Sequence, residues 1–353
     1  DISTDHECYM LHEALAKIEL GMKILIREGS AAKNFDELFP LIESHNEMVM
    51  LCTDDSHPDE LIQHGHIDKI IKMGLNKKIS IFKLLRAASI NPINHYNLQV
   101  GCLRPGDPAD FVVLNSVDTF NIVQTYINGT MVFANGRVLF STETTKPINN
   151  FKLTKHLATS DINLTPEQNK KIRVIVASDG SLLTNESIED PLLTHDNTIS
   201  DTSRDILKIV VLNRYQQTNP TIGFIRGFGL QRGAIASTIA HDSHNIIAVG
   251  ADDQSIIHAI NELIEKTGGI TCVQEKDYFT IPLPFGGLMT HIPGEALARD
   301  YSKLNQVVKS LGCTLHSPFM TLSFMALLVI PNLKIGDKGL FNITKYSFQG
   351  LWV

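Results

Sequence analysis

At 353 residues, with 43% apolar and 20% charged residues, the chain has the composition of a folded globular protein with room for two or three domains of ~100–200 residues each. Its net charge of −7 argues against a nucleic-acid backbone or an anionic membrane surface as the main partner and favours a small molecule. Five scattered cysteines (Cys8, Cys52, Cys102, Cys272, Cys313) form no CxxC pair, which fits a reduced, cytoplasmic setting. The longest apolar run, Leu322 to Ile330, is far shorter than the ~20 residues a membrane span needs.

The chain opens on Asp1-Ile-Ser-Thr-Asp-His-Glu7, with no methionine and no signal peptide, so the numbering is expected to begin inside a larger protein. Residues 9–20 carry apolar positions at helical spacing, and Gly21 is placed to end that helix. MKILIREG (22–29) reads as a strand, FDELFPLIESH (35–45) as a helix and EMVMLCTDD (47–55) as another buried strand. Polar residues collect at the strands' C-terminal ends, the pattern of β/α barrel units. Helices are predicted over 59–75 and 77–90, and the texture changes after Asn91-Pro92. Residues 100–115 and 121–140 are short β-type runs split by Pro-Gly, Asp-Pro and two Asn-Gly pairs, so a small β-domain is predicted. The polar stretch 142–165 reads as a linker. Beyond it, strands at 171–178, 205–213, 245–251 and 278–284 alternate with helices at 253–268 and 294–312.

Three clusters stand at the ends of successive predicted strands: Asp5-His6-Glu7, Arg27-Glu28-Gly29-Ser30 and Thr53-Asp54-Asp55. A carboxylate after a strand can ligate a hard or borderline cation and take a proton from activated water, although it can equally be a helix cap or a solvated turn. Read this way, His6 is a metal ligand or a structural imidazole, and Arg27–Glu28 is a substrate-facing pair or a surface ion pair. His64-Gly65-His66 mimics the HxH of metallohydrolases but falls in a helical run, which disfavours ligation. A glycine-rich stretch, GFIRGFGLQRGAIAST (223–238), precedes His241-Asp242-Ser243-His244; its spacing is not that of a nucleotide fingerprint, and the histidine cluster can hold a metal or a polar substrate.

Several long stretches carry a resemblance: TDHE (4–7), IREGSAAKN (26–34), TDDSHPDEL (53–61), LRPGDPADFVVL (103–114), the run 223–246 ending in AHDSHNI, PLPFGGLM (282–289) and the run 316–341. In these the chain resembles the adenine deaminase family of the amidohydrolase superfamily over nearly its whole length. The resemblance implies an α/β fold: the C-terminal part, strands six to eight, of a metal-dependent (β/α)8 (TIM) barrel over 1–95, and a small β-sandwich domain over 96–148. A linker over 149–165 and a C-terminal α/β (α+β) domain over 166–353 follow.

It also implies hydrolytic deamination of adenine to hypoxanthine and ammonia in purine salvage, with two divalent ions, manganese or iron first and zinc as an alternative. His6 and Asp54 are then metal ligands, with Asp55 the alternative to Asp54. Asp54 passes a proton from the attacking water to the departing amino group. Glu28 is a catalytic residue that accepts from a purine N–H, and Arg27, Ser30, His241 and His244 contact substrate; a homo-oligomer is expected. Rival readings are another amidohydrolase, such as a cyclic-amide hydrolase or a deacetylase, which the AHDSHN and PLPFGGLM segments disfavour, and a non-catalytic purine-binding fragment. The family's remaining ligands, an HxH on strand one, a carboxylate on strand four and a histidine on strand five, are expected upstream of Asp1. This chain alone should therefore release no ammonia from adenine, and sustained turnover by the isolated 353-residue chain would refute that expectation.

Overall fold

Two short runs with apolar centres, KILIR and VMLC, and the polar pair Thr4-Asp5 build the first sheet. Its strands are β1 (Thr4–Asp5), β2 (Lys23–Arg27) and β3 (Val49–Cys52), parallel in the order β1-β2-β3. The computed structural model describes residues 2–141, 145–153, 155–194 and 196–353, and contacts divide the chain into units Asp1–Thr144 and Thr145–Val353. Among the described residues this sheet has three strands and does not close into a barrel.

Helix α1 (Leu11–Glu19) lays Ala14 and Ile18, one turn apart, on the core with Ile24 and Ile26 of β2 and Val49 and Leu51 of β3. Gly21, at φ +86°, ends it as predicted. The helix predicted over 35–45 is two, α2 (Phe35–Leu38) and α3 (Pro40–Ser44), because Pro40 has no N–H to continue the ladder. The helix predicted over 59–75 divides at Gly65, φ +88°, into α4 (Pro58–His64) and α5 (Ile67–Asn76).

The helix predicted over 77–90 runs on past Asn91-Pro92. α6 (Ile81–Leu85) runs through a π-helical turn, Arg86–Ile90, into α7 (Asn91–Tyr96), and Pro92 follows directly on that turn, where the hydrogen-bond ladder has already slipped from its regular register. Both Asn-Gly pairs form hairpin turns with positive φ at Asn128, Gly129, Asn135 and Gly136. They join β5 (Ile122–Ile127), β6 (Thr130–Ala134) and β7 (Arg137–Val138), which with β4 (Phe111–Leu114) make one antiparallel sheet. Where a sandwich was expected over 96–148, the described residues supply this single sheet.

The second unit holds β8 (Ile172–Val176), β9 (Asn185–Glu189), a small hairpin of β10 (Leu192–Thr194) and β11 (Asn197–Ile199), then β12 (Leu207–Leu212), β13 (Thr221–Arg226), β14 (Ala234–Ser237), β15 (Ile246–Gly250), β16 (Gly269–Gln274) and β17 (Asp277–Pro282). Eight of these form one sheet in the order β17-β16-β14-β15-β12-β13-β8-β9, in which the β13–β8 pair is parallel.

Its two faces follow strand alternation. Val210, Leu212, Ile246 and Ala248 pack with Ile256, Ile260 and Leu263 of α8 (Asp253–Glu265). Ile209, Val211, Ile247 and Val249 point the other way, onto Leu304 and Val308 of α9 (Gly294–Ser310) and Phe319 and Leu322 of α10 (Pro318–Phe324). A last antiparallel sheet, β18 (Leu333–Gly336), β19 (Gly339–Asn342) and β20 (Ser347–Gln349), adds Leu333, Ile335 and Leu340 to that core. Leu153, Leu157 and Ile162, in the segment expected as a linker, are buried against α8's face; residues 142–144 and 154 of the polar stretch lie outside the described residues.

Asp252 caps α8, its carboxylate accepting from the Ser255 backbone N–H at 2.8 Å. Asp252→Ala should cost about 1 kcal/mol, read as a lowered urea midpoint with unchanged slope.

Candidate functional site

The tips of β1, β2 and β3 come together because parallel strands in register end side by side. Arg27, the last residue of β2, sits at the middle. Its side chain is 1% exposed, and Asn34 fixes its backbone by accepting from the Arg27 N–H at 2.7 Å while donating to the Cys8 carbonyl. The guanidinium reaches both neighbouring tips: Nη1 donates to Glu7 Oε1 at 2.9 Å and to Asp54 Oδ2 at 2.6 Å, and Nη2 donates to Glu7 Oε2 at 3.1 Å. Burial by itself pulls the Arg27 pKa down; the hydrogen bonds and charges of Glu7 and Asp54 outweigh it and hold the guanidinium charged.

His6 completes the group. Its Nε2 lies 3.1 Å from Glu7 Oε1 and 3.8 Å from Asp54 Oδ2. One nitrogen of His6 and one oxygen each of Glu7 and Asp54 fall within 4.8 Å of one another, a mixed N/O donor set that suits a borderline divalent cation. Asp54 holds a left-handed backbone, φ +53°, that Asp and Asn tolerate better than other non-glycine residues. Gly29 makes room for that turn, since a Cβ there would lie 2.7 Å from the Thr53 carbonyl oxygen. Thr53, buried, exchanges a 2.6 Å hydrogen bond with His66 Nε2, and the His66 N–H donates to Asp68. The second histidine of His64-Gly65-His66 thus braces the residue before Asp54.

The other expected site residues have distinct settings. Glu28 is buried, pushed up in pKa by burial, accepts from the Phe35 N–H at 3.3 Å and lies 3.9 Å from Lys69 Nζ; Arg27 pairs with Glu7 and Asp54 instead of with it. Ser30 Oγ donates to Glu60 at 2.8 Å and accepts from the His57 N–H. In the second unit the His241 ring stacks on Phe324 with centroids 4.7 Å apart and lies 5.8 Å from the His244 ring.

Sequence reasoning passed over Glu7, whose two oxygens grip Arg27. The available signal was its place beside His6 at a strand end, opposite a cation at the end of the next strand. Next to it lies a second acidic cluster, Asp5, Cys8 and Glu13, with the ammonium of Lys17 in the place of a cation. Lys17 pairs with Asp5, contacts Glu13 Oε1 at 2.7 Å and Cys8 Sγ at 3.4 Å.

Residues 4–132 match the amidohydrolase family and residues 181–347 match the adenine deaminase C-terminal domain. Along nearly its whole length the chain is similar to adenine deaminases. It is 52% identical over 362 residues to an adenine deaminase of Methanosarcina mazei, covering 99% of this chain and 65% of that protein. Adenine deaminases of Salinibacter ruber and Borreliella burgdorferi are each 44% identical, across 100% and 98% of this chain and 64% of each relative. The chain thus spans about two thirds of the length of these relatives. No helix among the described residues is long and apolar enough to cross a membrane.

Burial raises the Asp5 pKa, but hydrogen bonds from Cys8 and Lys17 and the Lys17 charge bring it from 3.8 down to about 2. A depressed carboxylate stabilises the fold above its unfolded pKa, and that stability is lost as pH falls through the folded value. Urea midpoints should show Asp5→Asn less stable than the parent near neutrality, with the gap closing between about pH 4 and 2. A gap independent of pH would show that the Asp5 charge contributes nothing.

Proposed function

We propose that this chain supplies strands six to eight of a (β/α)8 barrel and part of a metal-assisted hydrolytic site that converts adenine to hypoxanthine and ammonia, in cytoplasmic purine salvage. The observation that carries the reading is the 3.8 Å approach of His6 Nε2 to Asp54 Oδ2 at neighbouring strand tips, in a chain 44–52% identical to proteins named adenine deaminase.

His6 and Asp54 are the residues that hold a divalent ion, manganese or iron before zinc, with Glu7 beside them. Three donors suit part of such a site and not the whole of one for two ions. A divalent ion supplies Lewis acidity and a water that ionises near neutral pH.

The chain's own residues do the rest. Asp54 Oδ2 is anchored by Arg27, while Oδ1 has no hydrogen-bond partner among the described residues. The carboxylate is therefore fixed in direction with one oxygen free to take a proton from water and return it to the leaving amino group. Arg27, buried and engaged on both sides, sets that direction, which is a positioning role where a substrate contact was expected. Glu28 and Ser30, one and three residues beyond it, are the proposed contacts to the purine's N–H groups.

The test is ammonia release from adenine by the intact gene product that contains this chain. Asp54→Asn keeps the shape and the backbone and removes the base, so kcat should fall by roughly 10²–10⁴, with circular dichroism unchanged. Activity within a few-fold of the parent would remove Asp54 from the mechanism.

A further inference from the structure

We propose that Arg214, with Tyr215 and His244, lines an oxyanion-binding site in the second unit, closed by the Gly286–Gly287 turn, that takes a carboxylate or phosphate group. The proposal is independent of the deamination reading and gives His241 and His244 a setting other than the adenine contact expected from sequence.

The starting point is a buried cation without a counter-charge. Arg214, two residues past β12, is 1% exposed. Its Nη2 donates to Tyr215 Oη at 2.9 Å, while Nε and Nη1 have no acceptor among the described residues. Its guanidinium carbon lies 4.8 Å from the Tyr215 ring and 5.9 Å from the Phe151 ring. These rings stabilise the charge from the sides and leave the in-plane donors unmet.

The other fully buried cations are accommodated. Arg27 has Glu7 and Asp54. Lys208 Nζ lies 2.7 Å from Asp253 Oδ1. Lys334 donates to the Leu182 carbonyl at 2.7 Å, and burial brings its amine down to about 7, so it can shed its charge. A guanidinium cannot, and an unpaired buried charge is strongly unfavourable. Arg214 therefore calls for an anion.

The neighbours hold the guanidinium in place. The Tyr215 hydroxyl donates to the Ser243 carbonyl at 3.1 Å, and the Arg214 N–H donates to Asn245 Oδ1 at 3.4 Å, tying this corner to the 241–245 loop. His244 Nδ1 is buried without a partner. Burial first, then the charges of His241 and Arg214, push His244 below its ordinary pKa, which leaves a neutral ring able to donate from one nitrogen. Asp242 is 80% exposed and lies 3.5 Å from His241 Nδ1.

The turn above covers the guanidinium. A Cβ on Gly287 would lie 2.0 Å from Arg214 Nη1, so the glycine backbone lies directly over the guanidinium. Gly286 and Gly287 both have positive φ, +62° and +72°, and the turn is held by the Gly286 N–H donating to the Ile148 carbonyl at 2.7 Å and by Thr238 Oγ1 donating to the Gly287 carbonyl at 2.6 Å, so an anion that reaches Nε and Nη1 has to displace it. A donor-only guanidinium selects a charged acceptor over a neutral purine ring, and its planar fork suits carboxylate and phosphate.

The full chain is titrated by calorimetry with inorganic phosphate and, separately, with acetate, at constant ionic strength in chloride. We expect one saturable site for at least one anion, and the preferred anion tells phosphate ligands from carboxylate ligands. Arg214→Met should weaken binding at least tenfold and abolish the anion's thermal stabilisation. In anion-free buffer it should melt no lower than the parent, because it removes an uncompensated charge. His244→Gln, which keeps volume and polarity, should weaken binding several-fold and serves if Arg214→Met does not fold. Absence of saturable binding by both anions, binding unchanged in both variants, or an Arg214→Met melting point lowered equally with and without anion would overturn the proposal.

Discussion

The contact on which the candidate site depends is the buried guanidinium of Arg27 between the carboxylates of Glu7 and Asp54. A charge this deep is strongly unfavourable unless it is paired, and here two carboxylates take up both terminal nitrogens. The pairing links three strand tips that backbone hydrogen bonds alone leave free to splay. It draws Glu7 and Asp54 within reach of one cation and brings His6 along, because His6 and Glu7 are adjacent. The arrangement also explains why the site tolerates acidic crowding: the positive charge is built into the scaffold before any ion arrives.

Much of the first unit was legible because its signals are local. Ile24 and Ile26 alternate in β2, Ala14 and Ile18 repeat at helical spacing, and two Asn-Gly pairs dictate their own turns. The convergence of His6 and Asp54 was likewise readable from the polar ends of successive strands. Glu7's grip on Arg27 was not, since the two are 20 residues apart and become neighbours only through strand order. Helix ends misled in both directions. Pro40 and Gly65 broke predicted helices, whereas Pro92 did not, because it follows a π-helical turn where the hydrogen-bond ladder has already slipped from its regular register.

The second unit hid more of itself. β13 and β14 lie in the stretch read as a glycine-rich loop, flanked by Gly227, Gly229 and Gly233 at positive φ. Strands of four to six residues bounded by such glycines carry too little pattern to stand out. Their contribution is nonetheless central, because β14 and β16 extend the sheet on which α8 lies. The glycines permit the abrupt reversals that let so many short strands share one core, and a Cβ at Gly227 would strike the Ala177 carbonyl at 2.3 Å.

The left-handed backbone at Asp54 narrows what evolution can try there. The proposed mechanism demands a carboxylate, and glutamate offers one, but its longer chain lacks the local hydrogen bonding that lets Asp and Asn occupy this region. Asn is comfortable there and carries no negative charge. Asn and Gly are therefore the conformationally quiet replacements at position 54, and neither can act as the proposed base. Such a position can be lost without the fold registering the change, so a descendant could keep the full architecture while having abandoned the reaction.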